Sequence, residues 1–491
     1  MNLFLKRAFI ILLAVPVLFS SCATYNKSMN AYYSSIQSQD YDKALAKLDH
    51  SKFIQRNRNQ LLYFLEAGRV YRLKNDFTNS NQFLNQADDY IENTRKSVAD
   101  YVTGNLLNPM QQAYRGEDFE QFMVHFYKAL NYAALGNTDE ALVEARRITL
   151  SNNSQADKFK GNSNRYSTDA FSLNFQGMIY EMGGDINNAF IAYRNAADLY
   201  LKNDNVYYGV SIPAQLKQDL LRTADAMGFV SEVEKYAALF KISYTKKVEL
   251  GGELILFIEE GRAPVKEERN FVLSSAGGSI GNFSFIDEYG YNANIPFNYA
   301  TYGISEQKLS TVRTLRVAMP VYRVLYPTPL NTSVIVNGNT YTTQLAQNMN
   351  DLAVSVLRQR FLTELANAMA RQLTKKLVEK GTQAAVQGIA QSQEKKADDN
   401  ATDSEKEKKR QQNADNAKAA GEIAGFLVNV ANTITEKADT RNWQSLPAFI
   451  NYVRLPLVIG ENTITISANG VQKVLKVTGG KGIQLVSEVI N

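Results

Sequence analysis

Residues able to make or break bonds are few in this 491-residue chain, and they are poorly placed for it. Gly277-Gly278-Ser279-Ile280-Gly281 fits G-x-S-x-G, a turn that presents a nucleophilic serine between a strand and a helix and needs a histidine later in the chain. Both histidines, His50 and His125, come earlier, and β-like sequence follows the motif, so it reads as a glycine loop. A phosphate-binding loop would need a lysine and a helix directly after the glycines, and neither follows. Two histidines and one cysteine are too few for a metal centre built on such ligands. Glu259 and Glu260 are neighbours on a predicted strand, where successive side chains leave opposite faces, so they cannot act on one bond. Acid pairs assembled by folding, as in a glycosidase, are hidden by sequence separation and stay open. The expectation is a chain without catalysis, cofactor or metal.

The elements that would carry these residues are mostly helical up to about residue 245. In Glu117–Ala196, two helix–turn–helix units set small and aromatic residues in step. The second has Gly177, Tyr180, Gly184, Ala189, Tyr193 and Ala196, and the first has Ala129, Tyr132, Gly136, Ala141, Ala145 and Ile148. An earlier unit has Phe64, Gly68, Tyr71, Phe77, Ser80, Leu84 and Ala87. These are tetratricopeptide (TPR) offsets, spaced here by more than the repeat's length of about 34 residues, so extra segments interrupt the array. Asn26–Asp49 reads as a degenerate first pair, and Ala214–Met227 with Phe229–Phe240 as a last pair hinged at Gly228. Stacked helical hairpins leave an extended groove and predict binding. Tyr71, His125, Tyr132, Tyr180 and Tyr193 are the groove candidates. Arg115, Glu117 and Asp118 read as a polar contact point at its mouth, with Arg115 able to pair with either acid and the acids set against a helix N-terminus.

Met1–Ser21 has the layout of a secretory signal: Lys6 and Arg7, then an apolar run from Ala8 to Phe19. Phe19-Ser20-Ser21-Cys22 resembles a lipobox, with Phe19 standing where leucine is usual. Cys22 is the single cysteine, so it has no disulfide to join. Acylation of Cys22, palmitate included, would hold the mature chain to a membrane. A net charge of +5, spread along the chain, gives no footprint for nucleic acid.

Beyond Phe240 the hydrophobic period shifts from 3.6 to 2. Strands are expected at Glu253–Ile258, Asn270–Ser274, Thr311–Ala318 and Ser333–Val336, and near the C-terminus at Thr463–Ala468 and Val471–Val477. Asn337-Gly338 and Asn469-Gly470 mark hairpins. The two β regions read as one small β-sandwich, for which an immunoglobulin-like arrangement is one option. Between them, Ala346–Gln391 and Gln412–Lys437 read as a helical hairpin rich in small residues, joined by a charged tip. Arg371, Lys375, Lys376 and Lys380 make a basic stripe read as a solvated face, and Trp443 reads as core.

Tyr114–Glu120, Ala129–Tyr132, Glu144–Arg147, Gly252–Leu254, Ala263–Lys266 and Asp439–Trp443 with Leu446-Pro447 together resemble a family of uncharacterised bacterial TPR-containing outer-membrane lipoproteins. The resemblance implies an envelope lipoprotein, a component of a secretion or surface-assembly system, and supplies no catalytic residue. The combined expectation is an α+β multidomain chain. It would begin with a lipoprotein signal peptide (1–21) and a TPR-like helical domain (22–245). A first segment of the β-sandwich (246–345) would follow, then a helical-hairpin insertion (346–437) with a polar tip (392–411), then the segment that completes the sandwich (438–491). The functional expectation is a lipid-anchored, periplasm-facing outer-membrane scaffold that binds envelope proteins through its groove and can self-associate through the hairpin. The alternatives are a glycan-binding or glycan-processing surface lipoprotein and a self-assembling structural subunit.

Overall fold

The computed structural model describes residues 25–96, 109–159, 165–246, 251–275, 282–287, 292–298, 300, 305–306, 314–394, 437–480 and 482–490. The expected signal segment with Cys22, the expected glycine loop at 277–281, most of the expected polar tip and all but Lys437 of the second helix expected at Gln412–Lys437 lie outside them.

Ten of the described helices pair into five successive hairpins. These are α1 (Tyr25–Gln37) with α2 (Tyr41–Asp49), α3 (Gln60–Leu73) with α4 (Phe77–Lys96), and α5 (Glu120–Ala134) with α6 (Thr138–Lys158). They continue with α7 (Ala170–Met182) and α8 (Ile186–Lys202), then α9 (Ala214–Ala226) and α10 (Val230–Phe240). Each hairpin turns on one left-handed residue: Gln39, Asn75, Gly136, Gly184 or Gly228. The amide after that residue bonds back to the helix, for example Asp76 to the Tyr71 carbonyl, Asn137 to Tyr132 and Asp185 to Tyr180, at 2.8–2.9 Å. This closure satisfies carbonyls orphaned at a helix C-terminus, and its recurrence puts Tyr71, Tyr132 and Tyr180 at equivalent places. Gly177 is required by close packing, since a Cβ there would lie 2.5 Å from the Tyr193 ring. A two-stranded ribbon, β1 (Val206–Tyr207) and β2 (Val210–Ser211), interrupts the last two hairpins and is not legible as strand in the sequence.

Where one sandwich is expected, the remaining described strands form three four-stranded sheets. The first has the order β10 (Gln344–Asn348), β11 (Phe449–Pro456), β3 (Glu253–Glu260), β14 (Ile483–Ile490), with β14 parallel to β3. The second runs β13 (Val471–Gly479), β12 (Gly460–Ala468), β8 (Thr332–Val336), β9 (Asn339–Thr342). Its two hairpins close on Asn337-Gly338 and Asn469-Gly470, all four residues at positive φ, as type I′ turns demand. The third runs β6 (Asn292–Pro296), β5 (Asn282–Asp287), β4 (Val265–Ser275), β7 (Thr314–Arg323).

Alternation along β3 builds two cores. Ile255 and Phe257, with Ile450, Tyr452 and Leu485, join the helical core. Leu254, Leu256 and Ile258 face Val334, Val336, Ile464 and Ile466 of the second sheet. The layers are therefore helices, first sheet, second sheet. The third sheet packs Phe271, Leu273, Val317 and Met319 on Leu365, Ala368, Met369 and Leu373 of α11 (Met349–Glu394). That helix, about 70 Å long at 1.5 Å per residue, starts later than expected. Ala346–Asn348 instead belong to strand β10, Gln347 and Asn348 pairing with β11 and Ala346 forming a bulge, and Asn348 then caps the helix by accepting from the Asp351 amide at 3.2 Å.

Candidate functional site, a charged crevice beside a filled groove

The first helix of each repeat faces the first sheet, and the sheet occupies the trough that a TPR array would otherwise leave open. Phe126 of α5 and Phe175 of α7 both pack edge-on to Phe257 of β3 at 5.5 Å. Polar groups lock the same contact. Glu259 accepts from Tyr127 at 2.8 Å and pairs with Arg69 at 2.6 Å. Arg454 on β11 reaches Glu181 at 3.0 Å, Asp219 at 2.9 Å and Glu253 at 2.7 Å. Burial pushes the Glu259 carboxyl up, but Arg69 and Arg72 outweigh it and hold it below the usual range. Burial likewise opposes ionisation of Glu181, and Arg454 and Arg222 bring it down to about 2.

Of the groove candidates, Tyr180, Tyr193 and His125 are buried and are corrected accordingly, while Tyr71 and Tyr132 keep part of their surface exposed. Tyr193 is fully buried, its hydroxyl donating to Glu181 at 2.9 Å, and Tyr180 is buried too. Tyr71 stacks on Phe83 with centroids 5.4 Å apart, and Tyr132 is half-buried against the helical core. His125 is packed with Nδ1 2.9 Å from Glu144 and Nε2 3.1 Å from Ser151. Asp88, His125 and Glu144 bring ligand atoms within 4.8 Å of one another. The Lys128 ammonium already stands there, 2.7 Å from Asp88 and 2.9 Å from Glu144, which makes this an ion cluster. Glu259 and Glu260 do leave opposite faces of β3: Glu260 accepts from the Leu330 amide and the Thr332 hydroxyl, both at 2.8 Å.

The Tyr114–Glu120 corner is where distant segments meet. Gly116, at φ +79°, folds the chain so that Glu120 accepts from the Tyr114 hydroxyl at 2.7 Å and the Glu117 amide at 3.0 Å. Its other oxygen accepts from the Trp443 amide at 2.7 Å. Burial, then the neighbouring Glu117 charge, pushes the Glu120 carboxyl up to about 7. Glu117 pairs with Lys266 of β4 and, at 2.5 Å, with Arg360 of α11. Burial raises its carboxyl, but those two cations prevail and hold it low. Asp118 turns the other way, to Lys158 at 2.8 Å and Arg165 at 3.3 Å. Arg115 therefore pairs with neither acid and is exposed.

Arg441 fixes the far wall. It takes Asp439 at 2.7 and 2.8 Å, Asn59 at 2.8 Å, and the carbonyls of Pro109 and Gln112 at 3.0 Å. Trp443 beside it is fully buried. The result is a crevice of about 290 Å³ lined by Arg115, Lys266, Arg360, Arg371 and Arg441 against Glu117, Glu364 and Asp439. Arg371, expected on a solvated face, is buried here; the side chains of Lys375, Lys376 and Lys380 lie outside the described residues. A second cavity of about 620 Å³, between Leu61, Leu65, Ile91, Gln121 and Phe159, shares Arg115 and Glu117 with the first. Sequence reasoning missed Lys266, Arg360 and Arg441 because nothing local ties β4, α11 and the 437–446 strap to α5. Asp439-x-Arg441, an acid and a guanidinium two residues apart in a polar run, was the one visible signal.

No family model matches the chain, and no curated protein matches it. Several solved structures resemble a portion of it, two of them as follows. The structure of MamA protein is 12% identical over 45% of this chain and 96% of that one, with a TM-score of 0.26. The structure of PilW, described as a widely conserved type IV pilus biogenesis factor, is 11% identical over 44% of this chain and 91% of that one, with a TM-score of 0.21. Likeness at this level carries no argument about function.

Proposed function

We propose that this chain is a non-catalytic scaffold of the bacterial cell envelope. Lipid on Cys22 tethers it to the outer membrane, facing the periplasm, and it holds a protein partner there within a secretion or surface-assembly system. Tethering raises the effective concentration of whatever is bound, without any bond being broken. The observation that supports this most is the corner at Arg115–Asp118. It carries an exposed guanidinium that joins no ion pair among the described residues, where two cavities meet, while the trough of the array is filled from within. Partner docking is therefore assigned to this corner and not to the repeat groove. The absence of catalysis is supported by the state of the obvious reactive groups: His125 is engaged at both ring nitrogens, and Glu259 and Glu260 are each bound on separate faces.

The test is photo-crosslinking in intact cells, with a photoreactive residue at position 115 and a control at Leu239, exposed on α10. A discrete protein adduct from position 115 and none from 239 is expected. Equal adducts from both, or none from 115, would remove the scaffold reading.

A further inference from the structure

We infer that the crevice receives a phosphate-bearing headgroup of the membrane lipid itself. The inference rests on acylation of Cys22, as proposed above, and adds a ligand to the crevice.

Three observations carry it. The first is position. Asn26, in the first turn of α1, donates to the Lys266 carbonyl at 2.8 Å and accepts from Gln444 at 2.7 Å. Tyr25 donates to the Asn442 carbonyl at 3.1 Å. These contacts tie the start of the described chain to the crevice wall. Cys22 precedes Asn26 by four residues, so their Cα atoms can stand no more than about 14 Å apart. A lipid on Cys22 would bring the crevice to the headgroup layer.

The second is charge. Five cations line the cavity against three carboxylates. Glu117 is shared by Lys266 and Arg360, Glu364 pairs with Arg360, Asp439 is taken by Arg441, and Arg371 is engaged as well. Arg115 is exposed and joins no ion pair among the described residues. An exposed guanidinium at the rim of a concave, cation-lined site suits a phosphate, which accepts the planar fork of arginine through two parallel bonds.

The third is size. About 290 Å³ falls at the lower end of small-molecule sites, roughly 300–1,000 Å³. That accommodates a phosphodiester with a portion of its glycerol.

The experiment uses the mature chain as Cys22→Ser, which cannot be acylated, in co-sedimentation with vesicles. One set is phosphatidylcholine alone, and the other carries phosphatidylglycerol as a minority component. Binding to the anionic set only is expected. Arg115→Glu should weaken it by at least about fivefold, since one cation near an anionic surface is worth about 1 kcal/mol. Lys235→Glu, the same charge change at an exposed site on α10, should leave it unaltered. Arg115 is exposed, so an unchanged melting curve verifies the fold of that variant. Equal weakening by both variants, or equal binding to both vesicle sets, overturns the inference. So does a melting shift in inorganic phosphate with no vesicle binding, which would make the ligand a free anion. The mass of Cys22 in membrane extracts of the wild-type chain reads the anchor separately. An unmodified thiol overturns the anchor, whereas a lipidated thiol with no vesicle preference overturns the headgroup alone.

Discussion

Arg69 Nη2 lies 2.6 Å from Glu259 Oε2, with 3% and 1% of the two side chains exposed, and this pair crosses from the helical array to the central strand of the first sheet. Removing one member strands the other charge in a sealed interface. Arg69→Met is expected to cost about 3–5 kcal/mol, while Arg69→Met combined with Glu259→Met should recover some of that loss. Denaturant unfolding of the single and double variants measures it. Additive losses would show that the two charges do not depend on each other.

Glu120 gives a pH dependence with a defined sign. Its carboxyl is pushed up to about 7 in the folded chain from an ordinary 4.5. Between those values the folded state holds more protons than the unfolded one. The contribution is thus fully present below about 4.5 and is lost as pH rises through about 7. Its size is on the order of 3 kcal/mol. Glu66 and Asp169, also pushed up by burial, act in the same direction. Glu117, held low by Arg360 and Lys266 against its burial, acts in the opposite one. Glu120→Gln should flatten the fall in melting temperature between pH 5 and pH 8. An unchanged slope would assign the effect to other groups.

Gly177 and Gly184 separate two reasons for glycine in one repeat. Helix propensity alone favours alanine at position 177 by about 1 kcal/mol. A Cβ there would lie 2.5 Å from the buried Tyr193 ring, so Gly177→Ala should instead destabilise by about 1–3 kcal/mol. Gly184 has nothing within 4 Å but sits at φ +79°. Gly184→Asn should therefore be milder than Gly184→Ala, because asparagine tolerates that backbone. Thermal melts of the three variants decide it.

Arg441→Lys should behave as a non-conservative change. The guanidinium serves Asp439, Asn59, Pro109 and Gln112 at once, from a side chain that is 1% exposed, and an ammonium cannot reproduce that planar set. A loss of about 3 kcal/mol is expected, read by denaturant midpoint, with faster proteolytic cleavage in the 437–446 strap.

What could be read from the sequence follows the range over which its signals act. The hairpins of the array are legible because Gly136, Gly184 and Gly228 and the tyrosines before the first two are local signals for a turn and its packing. Asn337-Gly338 and Asn469-Gly470 are legible for the same reason. The sheets are not, because β3 pairs with β11 and β14, and no short-range pattern says which distant strand will be its neighbour. The burial of Tyr193 and Tyr180 cannot be judged from offsets either, since a repeat pattern says where a side chain points and not what arrives to cover it. At the crevice, Glu117 and Asp118 are visible as acids at a helix start. Their cations come from Lys266, Arg360, Lys158 and Arg165, scattered over the chain.

The order of strands in the first sheet also governs when the molecule can become itself. β3 has both of its ladder neighbours, β11 and β14, drawn from segments made after residue 448. When the chain emerges first residue first, whether from a ribosome or from an export channel, the helical hairpins are ready early, while the trough they form stays bare until the last strands arrive. Such distant pairings fold slowly and leave sticky intermediates exposed. Assembly from the first residue to the last, one unit at a time, cannot finish this fold: the closing step waits for the tail.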